Sequence, residues 1–296
     1  MKSVLVLMST YNGQKYLSEQ LDSIFAQKDV NVKLLVRDDG STDNTVSILQ
    51  KYQSDYDVEI LRGKNLRPAQ SFRELVRVSL DCDYYAYADQ DDIWMPDKLA
   101  QAIRALSEVE EDIPLLWYCG LSRLIDGNET DAGVCPLERA RSFETIVKTF
   151  WSTNGCTMVF NQKMMDILKS CDAGLIDMHD SWTNAMCLAC GGKVLCDPAS
   201  YVKYRIHDNQ VLGLGKKSIS DKIKRFFKAG CLRSETIQTM LTSQYLEDGK
   251  RAYLEKLIRY KRNPLIKLML IAEKPSSEMT RDDALKFRIQ ILTNKF

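Results

Sequence analysis

The chain has 296 residues, 45% hydrophobic and 27% charged, enough for a sizeable buried core and, by size, one large domain with an appendage. Lys and Arg number 41 against 40 Asp and Glu, a net charge of +1, which excludes the global positive field of a nucleic-acid-binding protein and sends the search for partners to local features. No apolar run approaches the roughly 20 residues of a membrane span. Nine cysteines, an odd number scattered through apolar segments, suit a reducing, cytoplasmic setting better than a disulfide framework. The one close pair, Cys187 and Cys190 in CLAC, has no second such pair at zinc-finger spacing and reads as buried thiols on a helix.

The N-terminal MKSVLVLMSTYNG reads as a strand and not as a leader, since it lacks a small-residue cleavage site and runs straight into polar, structured sequence. SVLVLMS is nearly continuous in its apolar residues, as expected of a strand covered on both faces. Leu17, Leu21, Ile24 and Phe25 follow at helical spacing. VKLLVRDDG is a second strand, and STDNTVSIL opens a helix with Ser, Thr and Asp as cap candidates. VEILRG, AQSFRELVRVSL and YYAYA continue the alternation as strand, helix and strand. This is the pattern of βαβ units around a mostly parallel sheet. MPDKLAQAIRAL then starts a helix, with Pro96 in its first turn.

From about Pro114 the order changes. LLWYCGLSRLID and GCTMVF read as strands, NQKMMDILKS and MHDSWTNAMCLACGG as helices, and KVLCD and YVKYRI as two short strands separated at Asp197-Pro198. After GLGKK the pattern is helical with basic faces, which places a boundary near Gly215, between a domain over 1–215 and a helical extension over 216–296.

Three polar signals fall at strand ends, STYNG, RDDGSTD and DQDD, where ligands bind in open α/β sheets. The last puts Asp89, Asp91 and Asp92 within four residues, an arrangement that is costly without a counter-cation. Asp89 and Asp91 offer hard oxygens to Mg²⁺ or Mn²⁺, metals that leave positions for phosphate oxygens. Helix capping explains one or two of these acids but not three. In RDDGSTD a carboxylate at a strand end can accept the ring N–H of uracil or thymine, and Tyr11 can stack on that base; taken singly, turn chemistry explains either.

Together, LVLMSTYNGQKYLSEQLDSIFAQ, LLVRDDGSTDNT, YYAYADQDDIWMPDKL, GCTMVFN, HDSW and YRIHDNQV resemble, in that order, the family 2 glycosyltransferases of the GT-A fold, above all the bacterial rhamnosyltransferase-like group that builds polysaccharides and O-antigen. The resemblance runs from Ser3 to about Gly213. It implies a Rossmann-like nucleotide-binding domain. It also implies that Ser9 and Tyr11 border the nucleotide and that Asp39, more than Asp38, binds the pyrimidine. Asp89 and Asp91 would hold the metal and donor diphosphate, Asp91 more directly, and Asp180 would be the catalytic base. His207 matches a position that helps hold metal or diphosphate in some members. Pro68 departs from a more glycine-rich loop, so no contact carries over there, although Arg67 can face the diphosphate.

Attack by an acceptor hydroxyl on a nucleotide sugar needs a base for the incoming proton and a cation for the departing diphosphate, and in-line displacement inverts the anomeric centre. Asp180 read without the resemblance is a helix cap. His179, Trp94 and Trp182 are candidate acceptor or sugar contacts, with core or lid roles as the plain alternative for the two tryptophans. The implied donor is a UDP- or dTDP-sugar and the acceptor a saccharide or lipid-linked sugar. A sugar nucleotidyltransferase is the first alternative, but STYNGQKY lacks its basic glycine-rich loop. A catalytically dead sugar-nucleotide binder is the second, and intact Asp39, Asp91 and Asp180 argue against it. The tail LIRYKRNPLIKLMLIAEK suits either a helix lying on the inner face of an anionic membrane or packing against the catalytic domain or a second copy, the latter pair being favoured.

Overall fold

Strands that are apolar on both faces need cover on both sides, and alternate residues along each strand supply two separate cores. In the computed structural model, which describes residues 1–109, 112–125, 128–130, 141–150, 153–172, 174–207 and 231–296, this is what the first half of the chain builds. Strands β1 (Lys2–Thr10), β2 (Val30–Asp38), β3 (Val58–Arg62) and β4 (Tyr84–Ala88) pair in parallel in the order β3-β2-β1-β4. Val4, Val6 and Met8 of β1 face one core with Leu34, Val36, Ala86 and Ala88. That side is covered by α1 (Leu17–Phe25), α2 (Thr45–Asp55) and α4 (Lys98–Ser107) through Leu17, Leu21, Ile24, Leu49, Leu99, Ala102 and Leu106. Leu5 and Leu7 face the other core with Leu35, Tyr85 and Tyr87, against Phe72, Leu75 and Val76 of α3 (Arg67–Val78).

Past β4 the sheet continues through β8 (Met158–Asn161), β6 (Leu115–Ile125), β9 (Lys193–Ile206) and the two-residue β5 (Ile93–Trp94), with β7 (Asn128–Thr130) on β6. β8 is antiparallel to both β4 and β6, while β6 and β9 are parallel. The mostly parallel sheet expected from the pattern thus describes its first four strands, and the later half is mixed. Helices α5 (Phe143–Thr149), α6 (Gln162–Lys169) and α7 (His179–Ala189) lie on the α3 side.

KVLCD and YVKYRI are one strand, not two. Pro198 has no N–H for the ladder, and the pairing shifts there, from Cys119 with Asp197 to Gly120 with Ser200. A second shift follows, from Gly120 with Ser200 to Leu121 with Val202, so the proline opens a bulged stretch and β9 resumes regular pairing at Val202. This continuation brings Arg205 and His207 to the acidic loop after β4.

The boundary expected near Gly215 lies outside the described residues. Beyond it come the helical residues 231–241 (α8), α9 (Asp248–Arg259), α10 (Pro264–Ala272) and α11 (Arg281–Leu292). They share the α3-side core: Leu254, Leu257, Tyr260, Phe287, Ile291 and Phe296 are buried in one cluster with Phe143, Ile146 and Trp182. The last residue is tied down, since Phe296 N–H donates to the Tyr260 hydroxyl (3.2 Å) with its ring fully buried.

A shared core predicts a single cooperative unfolding transition. Phe296→Ala, which empties a buried aromatic site, should cost about 3 kcal/mol. Urea unfolding followed by tryptophan fluorescence checks both, with the whole transition moving to lower urea and no separate early phase.

Candidate active site

Because β1 lies between β2 and β4, the loops after all three meet at one edge, and side chains lock them together. Gln90 clasps the main chain of Tyr11, accepting from its N–H (2.9 Å) and donating to its C=O (3.2 Å). A Cβ on Gly13 would stand 2.3 Å from the Gln90 amide oxygen, so the clasp requires glycine there. Asn12, held at φ 49°, accepts from Thr42 N–H (2.9 Å), and Gly13 N–H donates to Thr45 Oγ1 (2.8 Å). Tyr11 is left 48% exposed on this ledge, its ring available for stacking.

The two acids after β2 divide their labour. Asp38 is spent on the turn: its carboxylate accepts from Gly40 N–H (3.2 Å), Ser41 N–H (3.0 Å), Ser41 Oγ (2.5 Å) and Thr10 Oγ1 (3.3 Å). It shapes the loop and has no oxygen left for a base. Asp39 is 2% exposed, ion-paired with Arg37, and accepts from Leu66 N–H at 3.0 Å. Each of its oxygens retains a second lone pair. Ser9 bonds Ser71 of α3 (2.8 Å), tying β1 to the helix. Arg67, exposed at the start of α3, has a left-handed backbone (φ 67°) with its N–H on Asn65 Oδ1 (2.9 Å).

The three acids of DQDD separate into an inner and an outer set. Asp91 faces outward and meets His207, Oδ2 to Nε2 2.8 Å. Arg205 frames the pair: its Nε donates to Asp91 C=O (3.0 Å), its N–H to Asp92 Oδ1 (3.1 Å), and a terminal nitrogen to Glu19 (2.5 Å). Tyr16 lies beside both side chains, 4.4 Å from the Arg205 guanidinium and 5.1 Å from the His207 ring. Asp89 turns inward toward Asp92 and Cys156, their ligating atoms all within 4.8 Å. Burial, then the charges of Asp91 and Asp180, pushes the Asp89 carboxyl up, and burial with Asp89 and Asp91 does the same to Asp92.

The inner set has its own counter-ion, Lys98, which is fully buried. Its ammonium donates to Cys156 C=O (2.6 Å) and sits 3.2 Å from the centre of the Trp94 ring. Burial pulls its pKa down to about 8, which leaves it charged at neutral pH. The buried Cys156 thiol is pushed up and stays neutral, a poor donor to a hard cation. Asp91 and His207, an oxygen and a nitrogen donor side by side at the outer edge, are therefore the set that fits Mn²⁺ or Mg²⁺, with Asp89 behind them.

Asp180 stands in the first turn of α7. The cap position is Met178, so Asp180 is not the helix cap, and its carboxylate accepts the Ser181 N–H (2.5 Å). Burial raises its pKa to about 6, opposed by that hydrogen bond and by the positive end of the helix. His179 does not reach outward as a sugar contact would. It is 4% exposed, stacked on Phe72 (3.9 Å) and edge-on to Tyr87 (4.8 Å), and burial lowers its pKa to about 3, so the ring is neutral. Gly155 makes room for it, since a Cβ there would lie 2.2 Å from Nε2. Trp94 and Trp182, 2% and 0% exposed, are likewise core residues that offer no face to a sugar. Gln90, Asp92, Lys98, Arg205 and Glu19 were not singled out as site residues by the sequence; of these, only Asp92 carried a signal, as the third acid of the cluster.

Comparison with known proteins fits this geometry. The model of Glycosyl transferase family 2 matches residues 5–152. The chain is 42% identical to the dTDP-rhamnosyl transferase RfbG of Shigella flexneri over 105 residues, a stretch that makes up 33% of this chain and only 36% of that protein. It is 23% identical to the uncharacterized glycosyltransferase RT0329 of Rickettsia typhi over 256 residues, 83% of this chain and 78% of the relative. Among solved structures, S. aureus TarS 1-349 in complex with UDP-GlcNAc superposes with a TM-score of 0.60 at 16% identity, covering 98% of this chain and 81% of that one. The mannosyltransferase PcManGT from Pyrobaculum calidifontis, in complex with GDP-Man and Mn²⁺, gives 0.54 at 15% identity, with 99% and 88% covered. These likenesses carry the GT-A fold.

If Lys98 balances the inner acids, Lys98→Met should destabilise the protein by about 3–5 kcal/mol, the cost of removing one member of a buried charge set. Adding Asp92→Asn to Lys98→Met should restore part of that loss. Urea midpoints of the two single variants and the double variant at neutral pH close the cycle.

Proposed function

Because the chain belongs to glycosyl transferase family 2, we propose that it is an inverting, divalent-cation-dependent enzyme. It moves a sugar from a UDP- or dTDP-sugar to a saccharide or lipid-linked acceptor in cell-surface polysaccharide synthesis, O-antigen included. Rhamnose from dTDP-rhamnose is the favoured donor sugar, a preference supported by the partial likeness to RfbG. The observation that carries the reading is the meeting of Asp91 and His207 at the end of β4, on the same sheet edge as Tyr11 and Asp39 and close enough to Asp180 for its charge to act on Asp89.

In this reading Tyr11 stacks on the pyrimidine and Asp39, steadied by Arg37, accepts its ring N–H. Ser9 borders the nucleotide, and Arg67 stands at the start of α3 where it can meet the diphosphate. Asp91 and His207, backed by Asp89, would hold Mn²⁺ or Mg²⁺. The chemistry supplied there by the bound ion is neutralisation of the departing diphosphate's charge. Asp180 takes the proton of the attacking acceptor hydroxyl, and its raised pKa makes it a stronger base than an ordinary carboxylate. A single attack from the face opposite the diphosphate inverts the anomeric carbon. The unpaired thiols of the described cysteines suit a reducing, cytoplasmic compartment, and among the described residues no helix is long and apolar enough to cross a membrane.

Donor class is tested by thermal shift. UDP- and dTDP-sugars with Mn²⁺ should raise the melting temperature more than GDP-sugars, and Asp91→Asn should remove the Mn²⁺-dependent part. A preference for GDP, or an unchanged shift in the variant, rejects the assignment.

Asp180→Asn should lower kcat by about 10²–10⁴-fold with donor binding intact. Asp180 works only as the carboxylate. The wild-type rate should therefore be flat above its pKa of about 6 and fall roughly tenfold per pH unit below it. A rate that rises as the pH drops through that range would remove Asp180 as base.

A further inference from the structure

An apolar stripe on the solvent side of a surface helix is anomalous, and the last two helices each carry one. On α10, Leu270 is buried, while Leu265, Leu268 and Met269 are 70%, 63% and 58% exposed. Their spacing of three and four residues puts them on one face. The only charged residue within α10, Lys267, turns away from that face to bond Leu292 C=O (2.9 Å) and Asn294 Oδ1 (3.0 Å). On α11, Ala284, Phe287 and Ile291 go to the core, while Leu285, Ile289 and Leu292 are 57%, 37% and 55% exposed. The helices run antiparallel, with Lys267 against the end of α11 and Arg288 donating to Glu273 C=O (3.3 Å) at the other end. The two stripes, six large side chains in all, lie opposite the core-facing sides of these two neighbouring helices.

The surrounding charge identifies what this surface meets. Each acid of the segment is already committed: Glu273 to Lys148 (2.9 Å), Glu278 to Ser142 N–H (2.7 Å), Asp282 to Lys286 and Asp283 to Thr280. Arg262, Lys274, Arg281 and Lys295 are exposed at the ends of the two helices, with no side-chain ion pair or hydrogen bond among the described residues. We propose that this face, Leu265, Leu268, Met269, Leu285, Ile289 and Leu292 rimmed by those four cations, docks the protein on an anionic lipid bilayer, lying in the interface without crossing it.

An apolar helix face with a cationic rim gains from both parts of such a surface, through burial among the acyl chains and attraction to the headgroups. A second copy presenting this same face would bring the same cations, and each of the face's four acids already has a partner. The surface also bears on acceptor choice. α11 packs on α5 and α5 on α7, the helix of Asp180, so docking would hold the base at a fixed height over a lipid-linked sugar. That last consequence rests on the glycosyltransferase reading, whereas vesicle binding is measured without any substrate.

The test is co-sedimentation with phosphatidylcholine vesicles, with and without about 30 mol% phosphatidylglycerol. The wild type should partition at least tenfold more strongly onto the anionic vesicles, and added salt should weaken it. Leu268→Glu with Met269→Glu should cut that partition at least tenfold with an unchanged urea midpoint, since both side chains are exposed. Arg262→Glu with Lys295→Glu should abolish the preference for anionic lipid. Absence of wild-type binding, or binding indifferent to the Leu268/Met269 change, overturns the proposal. So does a dimer in sedimentation velocity that this change splits, because a second copy then covers the face. Donor-induced thermal shifts in the same variants should match the wild type, so failure to dock is distinguishable from failure of the active site.

Discussion

Negative charge concentrated at the end of a buried strand is the constraint around which this protein is arranged. Asp89, Asp91 and Asp92 cannot sit together in a low-dielectric edge of the sheet without polar partners to offset them, and three side chains from outside the loop gather there. Lys98 comes from the helix that follows, and Arg205 and His207 from a strand more than a hundred residues on. The solution is graded. The fully buried ammonium serves the inner acids, the guanidinium holds the loop through its main chain and Glu19, and the imidazole stands outermost, against Asp91.

That grading explains the shape of the later half of the sheet. β9 is long because it runs beside β6 to its last residue, Ile206, and there also meets the loop after β4 on its other edge. β5, only two residues, is the seam where the acidic loop joins β9, pairing Ile93 with Lys203 and Trp94 with Val202. Trp94 then has two tasks, filling the core and giving Lys98 an aromatic face. On the opposite side α7 carries Asp180 next to His179, whose ring is packed against Phe72 and Tyr87 in the core.

Much of this was legible in the residues. Strands covered on both faces declare themselves as continuous apolar runs, and polar loops at their ends mark the edge where the candidate site lies, because both patterns are local. What could not be read was long-range or directional. Pro198 looked like a strand terminator because a bulge and a stop have the same local chemistry, and only pairing with β6 distinguishes them. Gln90 reads as a loop residue until Tyr11 stands beside it, and Lys98 reads as a solvated helix residue until the fold buries it. Trp94, Trp182 and His179 misled for the converse reason. An aromatic ring next to a functional motif belongs equally to the cleft or to the wall behind it, and sequence spacing does not tell which way the ring faces. Asp38 and Asp39 are adjacent and chemically identical, and only the turn separates the one that builds the loop from the one that remains to accept a proton donor.

The bulge at Pro198 also fixes a parity. Side chains along a strand alternate between the two faces of the sheet, so the number of residues between the kink and the strand's end decides whether Arg205 lies toward Asp92 and Glu19 or away from them. Adding or deleting one residue in that stretch would leave the hydrogen-bonded ribbon able to form, yet deliver the guanidinium to the wrong side and shift His207 with it. The stretch from Val202 to Ile206 thus tolerates changes of side chain more readily than changes of length, a rule of counting imposed by the pleat itself.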